Sequence, residues 1–428
     1  ETMRLGSLFS WIALLGAAQA VTEFEACGNR PGVDGSTVAD GYCAFVYAEA
    51  AEPRSLVEDS MGNILMIESG TGSLSLFSTA PDPAVSKEEV QKTTLVSDLG
   101  LNHAVIVDES ARAKANGGPF IYASSRDTVY RFRYFQSTKS VGPAQVVVRG
   151  IPVGGHRTRS LALDDSGTLY VQCGSDANID RSPWRSNIKT ATPEQVEEGN
   201  VQWSLLPTFA SGLRNEVGLE FDSNKVLWGI ENGADNLMRE DLGGDIHNDN
   251  PCEEINKFNT TAAFYGYPYC WSEGVLPVYG KGRGTQWAWP EDFPFRNLTD
   301  QQCNNPSVVV KPSYCLPAHW APLGLRFQPV QSENVRFPFP KERAGDLIVL
   351  SHGSWNRDPP TGHKVARVKF DKLGGDPLQE RFDVIFDSLQ TRRVRPVDGV
   401  FLRDGTFLFT SDDTNEVIVL RYFGPQQT

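Results

Sequence analysis

This sequence lacks the marks of several common chemistries. It has no Cys-x-x-Cys pair and no His/Cys spacing of the kind that holds zinc. It has no glycine-rich phosphate loop and no dinucleotide fingerprint, and no haem or flavin motif is evident. Helical periodicity is almost absent, which argues against a bundle or a doubly wound α/β fold. After the first twenty residues no apolar run is long enough to span a bilayer. Positive charge is in deficit: 40 Lys and Arg against 53 Asp and Glu give a formal charge of −13, which argues against nucleic acid as a partner. No linker or low-complexity stretch divides the chain.

What is present begins with "ETMRLGSLFSWIALLGAAQA". Met3 and Arg4 precede an apolar run ending in Ala-Gln-Ala, which reads as a secretory signal peptide cleaved after Ala20; Glu1 and Thr2 read as extraneous. Residues 21–428 are then one domain. An oxidising compartment favours pairing of the seven cysteines. Neighbours along the chain suggest Cys27–Cys43, Cys252–Cys270 and Cys303–Cys315, leaving Cys173 as a buried thiol. Sequons at Asn259 and Asn297 suit exposed loops of a secreted glycoprotein.

One pattern recurs. A turn rich in Gly, Asn or Asp leads into a short apolar strand ending in small and polar residues: "DSMGNILMIESG" from Asp59, "NGGPFIYASS" from Asn116, "DDSGTLYVQCGS" from Asp164, "DSNKVLWGIENG" from Asp222, "RAGDLIVLSHGS" from Arg343 and "RDGTFLFTSDD" from Arg403. Most units recur roughly every fifty to sixty residues, the range of propeller blades. The fourth-to-fifth step is about double, and its aromatic, Cys- and Pro-rich stretch from about Phe264 to Pro317 reads as an insertion. The expected fold is all-β, a six-bladed β-propeller with that long insertion between the fourth and fifth units.

In each unit the start of the first strand and the end of the second lie at one end of the blade. Six such ends converge on one channel mouth. The starts carry Arg54, Asn102, His103, His156, Arg157, Arg159, Arg214, Asn215, His319, Arg393 and Arg395; the ends carry "ENGAD", "SHGSWNR" and "SDD". In so acidic a chain, Arg392, Arg393 and Arg395 stand together in "RRVR". A ring of guanidinium groups with Asn and His partners fits a planar ligand bearing several carboxylates. Gly233 could let backbone carbonyls approach a calcium ion.

"GGHRTRSLAL", "SGLRNEVGLEF", "ENGADN…EEIN", "GYPYCW", "SHGSWNR" and "RRVRPVDG" occur in the order found in the quinoprotein glucose/sorbosone dehydrogenases. From about Cys43 to Tyr422 the chain resembles that family, and most resembles the secreted fungal pyranose dehydrogenases that depend on pyrroloquinoline quinone (PQQ). The resemblance implies PQQ and calcium as cofactors, a pyranose substrate and a monomer. It makes His156 the catalytic base and Arg214 and Asn215 the pair beside the quinone carbonyl. Gly233 and Ala234 become the calcium carbonyls, and Arg393 and Arg395 the grip on the PQQ carboxylates. Asn356 and Arg357 fall where soluble bacterial relatives use a lysine, which implies PQQ contact. His319 and Trp320 fall near a substrate-side loop. Where the bacterial enzymes orient the base with an acidic residue, this chain has Ser175, with Asp176 next to it.

The expected chemistry is oxidation of a sugar hydroxyl: His156 removes the proton, hydride passes to the quinone, and electrons leave to an external cytochrome, copper oxidase, quinone or dye. The alternatives are a calcium-dependent lactonase or esterase on the same fold, and a non-catalytic glycan-binding propeller with a groove built from Trp271, Trp287 and Trp289.

Overall fold

The computed structural model describes residues 21–289, 298–332, 334–389 and 393–424, without the side chain of Glu380. The signal segment, the Asn297 sequon and Arg392 lie outside the described residues.

Six sheets, antiparallel except where Val201–Gln202 joins the second and Ala263–Phe264 joins the third, stand around one axis. Their innermost strands are Pro53–Glu58, Leu101–Asp108, Leu161–Leu163, Glu216–Phe221, Pro322–Phe327 and Pro396–Phe401, each against the next and the last against the first. The expected six-bladed propeller is the observed fold. Why each repeat unit turns where it does is visible in its aspartate. Asp59, Asp164 and Asp222 each accept two backbone N–H groups of their own turn, at 2.8–2.9 Å. That satisfies donors the tight turn would otherwise leave unpaired. Gly62 and Gly167, at φ +83° and +92°, supply the left-handed residue these turns need.

Ring closure uses both ends of the described chain. Strand Tyr42–Glu49 forms the outer edge of the sixth sheet, pairing with Glu416–Tyr422. The Cys27–Cys43 disulfide ties the preceding segment to that strand. Apolar residues from neighbouring blades fill the space between sheets, for example Trp228, Leu325, Leu347 and Phe370 between the fourth and fifth.

The insertion lies inside the fourth blade, between its strands Glu253–Phe258 and Tyr314–Leu316. There the expected pairing of sequence neighbours fails: the bridges are Cys252–Cys315 and Cys270–Cys303. The strand ladder explains the first, because Glu254 sits opposite Cys315 and brings the two strand ends together. Cys173 is free and buried, as expected. Trp271, Trp287 and Trp289 are all at most 5% exposed and pack with Leu237, Leu242 and Ile246. They are core, so the aromatic groove of the glycan-binding alternative does not exist. Asn259 is exposed on the turn after the fourth blade's third strand.

Candidate active site at the propeller mouth

Strand register puts the expected residues at one end. Glu216 pairs with Glu231, Pro322 with Ser351 and Pro396 with Ser411, so first-strand starts and second-strand ends share a face.

His156 stands on the turn entering the third blade. Its Nδ1 lies 2.9 Å from Ser175 Oγ and 3.1 Å from the Ser175 carbonyl oxygen. The Ser175 hydroxyl donates to the Ala177 carbonyl (2.7 Å), so it can only accept from the ring. Both partners therefore require the proton on Nδ1, which leaves the Nε2 lone pair available. Ser175, not Asp176, holds the ring; the Asp176 side chain is 61% exposed. Gly174 is required beneath it. A Cβ there would lie 2.6 Å from Asn215 Oδ1 and 2.8 Å from His156 Cβ.

Two buried arginines clasp this turn by its carbonyls. Arg159 donates to the carbonyls of Pro152 (2.5 Å), His156 (2.8 Å) and Thr158 (2.6 Å). Arg185 donates to those of Val153, Gly154, Gly174 and Ser175. Arg159, read from sequence as part of the mouth ring, is fully buried behind it. Arg185 was not legible, because nothing in "SPWRSN" marks it. Burial first, then the guanidinium groups of Arg214, Arg185 and Arg159, lower the His156 pKa to about 4, so the ring is neutral at ordinary pH.

Arg214 is the hub. Its guanidinium donates to the Gly233 carbonyl (2.6 Å), Asn232 carbonyl (3.3 Å), Asn178 carbonyl (3.2 Å) and Asn178 Oδ1 (3.0 Å), and pairs with Asp235 at 2.9 Å. Asn215 donates to Asn232 Oδ1 (3.1 Å), while its own Oδ1 is buried and unpartnered among the described residues. The loop carrying Gly233 and Ala234 is pinned by Glu253, which accepts from the amides of Gly233 (2.7 Å) and Ala321 (2.9 Å). Burial pushes the Glu253 carboxyl up to about 7. Beneath lie Glu216, Glu231 and Glu254, mutually close and all raised by burial.

Across the mouth, Arg395 donates to the carbonyls of His352 (2.9 Å) and Gly353 (2.7 Å), and Arg393 is exposed. Asp412 bridges Arg54 (2.5 Å) and His352 (2.8 Å), and its pKa is held well down by those two partners. Asn356 and Arg357 bond to neighbouring loops: Asn356 exchanges two bonds with Asn236, and Arg357 reaches Asn248, Asp249 and Pro359. His319 is buried against the His247 carbonyl, and Trp320 packs on Phe382.

The TrAA12-like family model matches residues 36–422. The chain belongs to the TrAA12-like family. This TrAA12-like chain is 29% identical over 424 residues to the pyrroloquinoline quinone-dependent pyranose dehydrogenase of Coprinopsis cinerea, covering 91% of this chain but only 55% of that protein. The holo form of the pyranose dehydrogenase PQQ domain from Coprinopsis cinerea superposes with a TM-score of 0.78 at 26% identity, over 92% of this chain and 99% of that one. A calcium structure of a Trichoderma reesei carbohydrate-active enzyme of family AA12 gives 0.77 at 28% identity, over 92% and 99%.

Proposed function

We propose that this protein is a secreted PQQ-dependent pyranose dehydrogenase, monomeric, which oxidises a sugar hydroxyl and hands the electrons to an external acceptor. The observation that carries the reading is the pairing of a neutral, pre-oriented His156 with the Arg214–Asn215 hub at the same mouth. The similarity to a PQQ-bearing domain supports the choice of cofactor.

The residues fit the cofactors. Asn215 Oδ1 is a buried acceptor awaiting a donor or cation. The Gly233 and Ala234 carbonyls are hard oxygen ligands of the kind calcium takes. The acidic groups nearest that loop, Asp235 and Glu253, are spent on Arg214 and on backbone amides. A carboxylate-built calcium site, expected of the hydrolytic alternative, is therefore not on offer there. The Gly233 carbonyl accepts from Arg214 at 2.6 Å, so this oxygen already faces one positive charge and would face a second in the calcium-loaded protein. Arg393 and Arg395 would hold the PQQ carboxylates, and Asn356 and Arg357 would hold the loops around them.

Bound PQQ would supply the hydride acceptor, and calcium would polarise its reacting carbonyl. The protein's own part begins at His156 Nε2, which accepts the hydroxyl proton as hydride leaves the same carbon. Ser175 keeps Nδ1 protonated throughout, so the imidazolium formed keeps that N–H bonded to the Ser175 oxygens. Arg214, already desolvated and with its N–H groups held by Asn178, Asn232, Gly233 and Asp235, would act on negative charge developing beside it through its fixed positive field.

The test is reconstitution. Purified apo-protein should reduce a dye with a pyranose only after PQQ and calcium are added, with a change in visible absorbance. Full activity after exhaustive chelation and dialysis, with no PQQ found by mass spectrometry, would overturn the proposal.

A further inference from the structure

His363 stands where the mouth loops of the fifth and sixth blades meet, immediately before strand Lys364–Phe370. Its backbone is at φ +35°, in the left-handed region that a residue with a side chain adopts at a cost. Gly362 before it, at φ +101°, packs directly on Gly353, and a side chain on Gly353 would collide with the His363 ring. The ring therefore lies on Gly353, whose carbonyl also receives Arg395.

The ring's surroundings are cationic. Arg395, His352, Arg393 and Lys364 all act on it in the sense that opposes a proton. Carboxylates are near, but each is engaged: Lys364 is paired with Asp387 at 2.5 Å, and Asp412 serves Arg54 and His352. Asp413 acts on Arg395 from the sixth blade. The ring makes no hydrogen bond to any described residue. Burial and these cations together hold its pKa at about 4. Backbone strain thus places a partnerless imidazole beside the arginine that faces the mouth, and an incoming polyanion would reverse the field it feels.

We infer that His363 is a third arm of the anion grip, taking up a proton from solvent as a carboxylate-rich ligand binds and donating a charged hydrogen bond to it. This rests on the reading of PQQ as the ligand of the mouth. Uptake makes binding tighten as pH falls, by at most tenfold per pH unit between the ring's free and bound titrations.

The test is calorimetric titration of the calcium-loaded protein with PQQ, in buffers of different ionisation enthalpy between pH 5.5 and 7.5. The comparison is with His363→Asn, because Asn tolerates the left-handed backbone and does not titrate; melting temperature checks that it folds. Wild type should take up part of a proton, and its affinity should rise about threefold to tenfold as pH falls over that range. His363→Asn should bind more weakly, without the uptake or the slope. Equal proton uptake in both proteins, or an unchanged slope in the variant, would overturn this inference alone. Failure of wild type to bind PQQ at any pH would overturn both it and the function proposed above.

Discussion

His156 Nδ1 and Ser175 Oγ stand 2.9 Å apart, with the Ser175 carbonyl 3.1 Å from the same nitrogen. One residue thus supplies two acceptors to the base. Ser175→Ala removes only the hydroxyl, a neutral hydrogen bond worth about 0.5–1.5 kcal/mol. Turnover should fall about twofold to twelvefold, with PQQ affinity unchanged. Dye-reduction kinetics would show it. A loss above about 10²-fold would mean that the carbonyl does not hold the ring.

The pH profile follows from the sign of the His156 shift. Burial and three guanidinium groups disfavour the charged ring, so its pKa is lowered to about 4 and the active, neutral form persists down to that pH. In the cofactor-free protein the His156 ring should stay neutral from neutrality to about pH 5 and take up a proton near 4, as its NMR titration would show. A titration near 6.5, where an unperturbed imidazole titrates, would contradict this environment.

Arg395 and His156 should separate binding from turnover. Arg395→Ala removes a charge-assisted donor worth on the order of 1.5–3 kcal/mol. PQQ affinity should drop by about one to two decades, and excess cofactor should recover most of the rate. His156→Ala should still bind PQQ, while turnover falls about 10²–10⁴-fold. Fluorescence quenching and dye reduction, measured on both variants, would expose a wrong division of roles.

Peptide mapping without reduction should recover Cys252 joined to Cys315 and Cys270 joined to Cys303, with Cys173 alkylated only after unfolding. The paired Cys252→Ala, Cys315→Ala variant should lose about 2–5 kcal/mol in denaturant titrations. A Cys252–Cys270 peptide would refute the strand pairing of the fourth blade.

The propeller was legible because each blade repeats the same local solution, an aspartate or glycine turn feeding an apolar strand. The mouth was legible because repetition carries equivalent ends to one place. Cys27–Cys43 was read correctly, but the two disulfides of the insertion were misread because cross-strand neighbours, such as the strand ends at Cys252 and Cys315, are far apart along the chain. The tryptophans of the insertion left both packing and a sugar platform open, since composition does not tell which face of an irregular segment is covered, and they are packing. Arg185 escaped notice because its partners are carbonyls, which any sequence supplies. Asn356 and Arg357 were assigned by position, and only the surrounding loops reveal that their hydrogen bonds run sideways.

The closure of the sixth sheet has a consequence for biosynthesis. Arg54 and Asp412, which meet at the mouth, are 358 positions apart, and the sheet between them needs strands from both ends of the chain. Contacts of such separation close late and fold slowly. While the chain is still being synthesised, the first blade has no sixth beside it, and Arg395 lacks the neighbouring strand whose Ser411 Oγ anchors its amide. The sixth sheet is complete only when Glu416–Tyr422 has paired with both Phe407–Ser411 and Tyr42–Glu49. Without that strand the sixth sheet keeps only Pro396–Phe401 and Phe407–Ser411, and the latter presents an unpaired edge, the feature that invites wrong pairing.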